Sequence, residues 1–338
     1  MKTPNSFRMT GYALALLLPS LCPPVQAVSG KAGAFAPLPV GARGAALAGA
    51  QVAAPEASEA LILNPAGMTQ VEFWNAGYHH ASAYGIIPYH QVDGVYHLQG
   101  KSVWLGATWK ENGDEIYAEN EVRLGGAYRR GFISVGGAWN LRHAGTGAGG
   151  SDFRDPETGL NHRVDATGLG FLGFDVGAIA RPFGDRYALG LAFHDLFSRI
   201  SWDSENEANT AAGEYAQYVP VTMRLGFYAH PDQALAFFCD FEPSLYHDGI
   251  SRLASGLEIL PMEWLPDSQI KEWLRDCLAT RIGYARNMFT DDAFHRLTAG
   301  TGLRLHHAGL TLQADMAYDW VFAFESRNTL RFGFHLGK

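Results

Sequence analysis

The chain has 338 residues, of which 26 are basic and 34 acidic, for a formal net charge of −8. That acidic balance excludes nucleic acid as a partner, which would need a basic face. After residue 27 no stretch reaches the ~18 apolar residues of a membrane-spanning helix. The mean hydropathy of −0.09 is unremarkable, but it does not speak against a membrane barrel, where only alternate residues of each strand meet lipid.

Lys2 and Arg8 precede an apolar run from Tyr12 to Leu18, and Val25-Gln26-Ala27 puts small residues where signal peptidase reads them. A signal peptide over 1–27 is predicted, with cleavage after Ala27. Its loss removes two of the 26 basic residues and none of the 34 acidic ones, leaving −10. Leu21 ahead of Cys22 argues against lipidation. Cys239 and Cys277 then remain. Cys239 shares its parity with Leu235, Phe237 and Phe241, so both cysteines are read as unpaired.

Residues 28–70 show no strand pattern. They are rich in Ala and Gly, with a run from Gly41 to Ala50 and then Asn64-Pro65-Ala66-Gly67. Small residues let backbones approach closely, and Pro65 biases Asn64 to an extended geometry. Such a segment can fold inside a lumen.

From there on the period is two. Runs at about 71–83, 89–99, 101–111, 117–129, 131–142, 168–181, 186–195, 219–230, 233–243, 250–260, 277–287, 294–306, 309–321 and 327–337 predict fourteen strands. Leu310, Leu312, Ala314, Met316, Tyr318 and Trp320 fall on one parity; Thr311, Gln313, Asp315, Ala317 and Asp319 fall on the other. Each segment therefore has a greasy and a wet face, over a length that matches a tilted strand crossing a bilayer. Joins alternate between short, as at Gly100 or His307-Ala308, and long, as at 143–166 and 196–218. Tyr78, Trp104, Trp109, Tyr128, Tyr187, Tyr284 and Trp320 lie near strand ends, where aromatic rings suit the headgroup layer. The expected fold is all-β: a 14-stranded antiparallel transmembrane β-barrel over 71–338, with both chain ends on the short-turn, periplasmic rim.

One join on that rim is long. Within 260–276, Asp267 or Ser268 is placed to cap a short helix, and Trp264, Ile270, Trp273 and Leu274 offer an apolar surface. Two readings are open: the stripe packs on the rim or the membrane interface, or it docks a periplasmic partner.

The Gly41-Ala42-Arg43-Gly44 start, the Asn64-Pro65-Ala66-Gly67 element before the first strand, and Phe174-Asp175-Val176-Gly177 through Arg181-Pro182 carry a resemblance. The chain resembles the fatty-acid-transporter superfamily of outer-membrane barrels and, within it, the smaller family that includes the PorV and PorQ proteins of type IX secretion. The resemblance implies a fourteen-stranded barrel with an N-terminal luminal hatch over 28–70, in which Arg43, Asn64, Pro65, Ala66 and Gly67 are the gating residues. Two features depart from it: the chain ends in Lys338 rather than an aromatic residue, and the 260–276 join is long.

The inward parity carries Arg142, Asp175, Arg181, Arg224, Asp240, Arg296, Arg304, Asp315 and Arg331. Charges there must be paired or wet, so the lumen is expected to be either a closed network or a water path. No residue reads as catalytic. Gly145 to Gly150 matches GxGxxG but leads into no helix, so it lacks the phosphate-cradling context. His79 and His80 point to opposite faces of a strand and cannot share a metal by themselves. His194, Asp195 and Ser198 lack a nucleophile elbow. No cofactor is expected.

The function expected from these features is passive transport of hydrophobic or amphipathic small molecules in the bacterial outer membrane, gated by the hatch. The alternative is a non-transporting docking partner of a secretion system. Partners are then membrane lipid, a hydrophobic ligand or secretion proteins, and the barrel-assembly machinery during insertion.

Overall fold

The structure, a computed structural model, describes residues 41–55, 59–83, 87–113, 117–146, 151–154, 161–206, 213–246, 250–264, 277–288, 295–321 and 327–338. Fourteen strands form one antiparallel ring. They are β1 (Trp74–Ala83), β2 (Ile87–His97), β3 (Val103–Gly113), β4 (Tyr117–Arg130), β5 (Ile133–Thr146), β6 (Asn161–Ala180) and β7 (Tyr187–Asn206). The ring continues with β8 (Thr222–Ala229), β9 (Leu235–Glu242), β10 (Ser251–Ile259), β11 (Leu278–Met288), β12 (His295–His307), β13 (Leu310–Val321) and β14 (Arg327–Gly337). Each strand pairs with the next, and β14 closes on β1 in a register running from Asn75↔Gly337 to Ser82↔Leu330. Closure leaves the ring without an edge, which a bilayer demands of any sheet that crosses it.

Alternation decides which way each residue faces. On β13 and β14, Gln313, Asp315, Ala317, Thr329, Arg331 and His335 are buried in the bore, while Leu312, Met316, Phe332 and Phe334 stand outside, Phe334 51% exposed. The same holds round the ring at Val135, Leu225, Phe237 and Ile282. An exterior of large apolar side chains on every side suits hydrocarbon rather than water. Tight turns close the short-turn rim, with Gly131 (φ 63) and Gly309 (φ 76) in the left-handed region that glycine tolerates. No helix among the described residues is long and apolar enough to cross a membrane, which says nothing of a barrel.

Three expectations require correction. The segments 143–166 and 196–218 are not simply loops: β6 and β7 each run for 20 residues, and the short strands Ser151–Arg154 and Gly213–Tyr218 pair with their outer ends. Bulges hid this extension. Phe171 and Leu172 both point outward, so the inward parity switches from Gly168 and Gly170 to Gly173 and Asp175. The β6–β7 register shifts at Leu169/Leu172, Leu172/Phe174 and Phe174/Val176, opposite Asp195 (φ 61) and Phe197 (φ 59). Secondly, Trp104 does not belong to the outer aromatic belt. It faces the bore, buried, and its indole N–H donates to the carbonyl of Val71 at 2.8 Å. Thirdly, Trp202, which falls within the long join read at 196–218, is turned into the bore on β7 and is buried.

The signal peptide over 1–27, residues 28–40 and the docking residues Ile270, Trp273 and Leu274 lie outside the described residues. Trp264 ends a 3-10 turn, Pro261–Trp264. Cys239 is exposed and Cys277 buried.

Candidate functional site

The bore is occupied by the chain's own residues 41–55 and 59–71. They contain helices α1 (Ala42–Ala46) and α2 (Ala60–Leu63) and a 3-10 turn over Pro65–Gln70. Leu47, Val52, Leu61 and Met68 are fully buried. The fit depends on glycines of the inward parity. A methyl group at Gly106 would lie 2.7 Å from both Leu61 Cδ1 and Met68 Sδ; one at Gly256 would lie 2.8 Å from Leu47 Cδ2. The same conflict arises at Gly136 with Pro65, at Gly190 and Gly226 with Val52 and Ala53, at Gly283 with Leu47 and Ala48, and at Gly300 with Ala46. The plug therefore touches bare wall backbone, and its apolar side chains fill the space that wall side chains leave.

A few polar contacts fix its register. Asn64, extended as Pro65 demands (φ −164, ψ 106), donates from Nδ2 to the carbonyls of Val52 (2.9 Å), Ala178 (3.2 Å) and Leu191 (3.3 Å), and its Oδ1 accepts the Ala66 N–H. It thus ties two passes of the plug to β6 and β7. Pro65 opens the 3-10 turn, Ala66 packs with Ala53, Ile179 and Ala188, and Gly67 lies against Pro55. Arg43 grips Glu258 of β10 with two bonds, Nε to Oε2 at 2.9 Å and Nη2 to Oε1 at 3.1 Å. Arg281 bonds the same carboxylate and also reaches Asp315. Asp240 Oδ2 accepts the Val52 N–H at 2.9 Å, and Arg252 and Thr298 donate to the carbonyls of Ala48 and Ala46.

Between plug and long-loop rim lies a charge layer. Glu121 is bonded by Arg123, lies 3.3 Å from Arg142 Nε and 3.9 Å from Lys110 Nζ. Arg123 continues to Asp175 at 2.6 Å, Arg142 to Asp195 at 2.6 Å, and Arg142 Nη1 donates to Ser198 Oγ at 2.7 Å. Across the bore, Asp319 takes Arg296 and Arg331, and Arg224 pairs with Glu242. A cavity of about 10 Å³ lies among Gly49, Arg224, Asp240, Glu242 and Arg252, room for a single water. Arg181 and Arg304 sit apart at the short-turn rim, facing Asp185 at 4.0 Å and donating to Gln313 at 2.9 Å. Burying so many charges is tolerable only because they are paired.

Sequence reasoning missed Lys110, Glu121, Arg123, Arg252, Glu258 and Arg281, although all share the inward parity of their strands. Thr298 gave no signal and Trp104 a misleading one, because their role exists only once the plug is in place. Ser198 accepts from Arg142 rather than facing His194, whose Nδ1 lies 3.5 Å from Asp175. Among the described residues no group of three or more His, Cys, Asp or Glu is gathered to hold a metal.

No protein-family model matches the chain, and no curated protein matches it. Solved structures do. The monoaromatic hydrocarbon channel CymD superposes with a TM-score of 0.62 at 12% identity, over 90% of this chain and 98% of that one. The toluene transporter TbuX of Ralstonia pickettii gives 0.58 at 13%, over 88% and 97%. A FadL homologue of Pseudomonas aeruginosa gives 0.52 at 12%, over 88% and 98%. At such identity the likeness is one of fold.

Proposed function

We propose that the chain is an outer-membrane channel through which hydrophobic or amphipathic small molecules move passively, with Gly41–Val71 as the hatch. The observation that carries this reading is the occupied bore: a segment of the same chain, built of small residues, rests on wall glycines and is held at a few discrete polar points. Such an object can shift as a unit without unpairing the ring. The names of CymD and TbuX give them monoaromatic hydrocarbons and toluene to carry, and this chain shares their fold. At the long-loop end, Ala144, Ile200 and Trp202 form an apolar patch inside the bore, where such a solute would first leave water.

The test is uptake of toluene and of a long-chain fatty acid by vesicles carrying the intact protein or a form lacking residues 28–67. Uptake that depends on the protein and changes with the deletion supports the reading. Uptake equal to that of protein-free vesicles in both forms sinks it.

A second reading, a PorV- or PorQ-type platform for a secretion system, draws support from the density of the charge layer around Glu121 and Arg142, which suits a permanently closed bore. Affinity capture that recovers no periplasmic or surface protein, with or without 260–276, counts against it.

A further inference from the structure

His79 of β1 is fully buried beneath the plug. Its Nε2 lies 3.1 Å from Asp93 Oδ2 on β2, and its Nδ1 lies 3.5 Å from Oε1 of Glu59, the plug residue just before α2. The ring meets His335 of β14 edge-on at 4.7 Å, and Gln91 donates to the same oxygen of Asp93 at 2.9 Å. Behind His335, at 4.0 Å, stands Asp315 of β13, already engaged by Arg281. The next charge along β14, Arg331, is turned to Asp319.

One imidazole thus stands between a wall carboxylate and a plug carboxylate. A neutral imidazole carries one N–H and can donate to only one of them; an imidazolium carries two and can donate to both. Glu59 also reaches the start of α1, since a methyl group at Gly41 would overlap its carboxylate. Any movement of Glu59 is therefore felt by the helix that holds Arg43.

We propose that His79 is a proton-operated latch of the plug: protonated, it ties Glu59 to Asp93, and on losing its proton it releases one of them. This rests on the hatch reading, so the test follows the plug's position rather than transport. Hydrogen exchange of the 59–71 backbone is followed in the full-length protein in lipid nanodiscs from about pH 5 to about pH 9, corrected for intrinsic exchange. The wild type is expected to lose about tenfold in protection across that range, the scale of one charge-assisted hydrogen bond. His79→Gln, which keeps shape but cannot titrate, is expected to show low protection at every pH. Glu59→Gln, altered on the plug alone, keeps the test open if the wall variant does not insert, and is expected to flatten the pH response. A wild type with pH-independent protection overturns the latch, as does an undiminished pH response in either variant. If the latch holds and uptake is absent, the hatch reading fails by itself.

Discussion

The carboxamide of Asn64 lies in the volume that a side chain at Gly177 would need. One residue belongs to the plug and the other to β6, so wall and plug were shaped as a pair. The missing Cβ lets Nδ2 reach the carbonyls of Ala178 and Leu191, whose second lone pairs remain available beside the ladder bonds.

Gly177→Leu is accordingly expected to evict Asn64 while leaving the ring intact. Heat-modifiable gel migration should show a folded barrel, with stability lowered by about 1 to 3 kcal/mol as for other overpacked cores. Single-channel recording should show a higher open probability than the parent. A silent variant of unchanged stability would mean that the plug yields at no cost there.

Arg43 and Glu258 bring the plug's first helix to β10, with both side chains 13% exposed. Glu258→Gln breaks the two-bond pairing of this carboxylate with Arg43, while Arg281 keeps Asp315. The expected loss is about 2 to 3 kcal/mol, at the low end for a broken buried pair because both groups are slightly wet. Denaturant unfolding of the two single variants and the double variant Arg43→Met with Glu258→Gln measures it. The double variant should recover part of the loss, since no charge is then left unpaired.

The ring was readable because a half-lipid, half-lumen strand has no choice but to alternate, and fourteen such runs stand in the order found. What escaped was wherever alternation breaks. Phe171 and Leu172 share a face, so the inward set of β6 changes parity, and the chain beyond it reads as loop. At Asp195 the left-handed φ falls on a residue type that accepts it, yet nothing nearby marks a turn. The plug was announced by its small residues, but its seat was not. Gly106, Gly136 and Gly256 become neighbours of one object only through strand register, which no single strand reveals.

An outer face of large apolar side chains suits lipid rather than water, and depth distinguishes the two. Met316 lies midway along β13 and Leu310 at its short-turn end, both pointing outward. Met316→Arg is expected to cost about 2 to 4 kcal/mol and Leu310→Arg about 0 to 1. Reversible unfolding from vesicles compares them. Equal effects at both depths would argue for an interface with water or protein.

The bulge in β6 breaks the ladder between Trp139/Phe174 and Arg142/Gly170, at a height where the exterior is apolar. In a bilayer an unpaired carbonyl there would face hydrocarbon, where no water can satisfy it. Trp139 supplies the partner: half-exposed on the outer face, its indole N–H donates to the Phe171 carbonyl at 2.7 Å. Trp139→Phe keeps the ring's apolar bulk and removes the donor. The expected cost is about 1 to 3 kcal/mol, with a local rise in hydrogen exchange over Gly170 to Phe174. Trp109→Phe, on the same outer face of β3, is the control, since its indole makes no hydrogen bond among the described residues. If the two substitutions cost the same, the indole bond at the bulge adds nothing and the wall tolerates its broken ladder unaided.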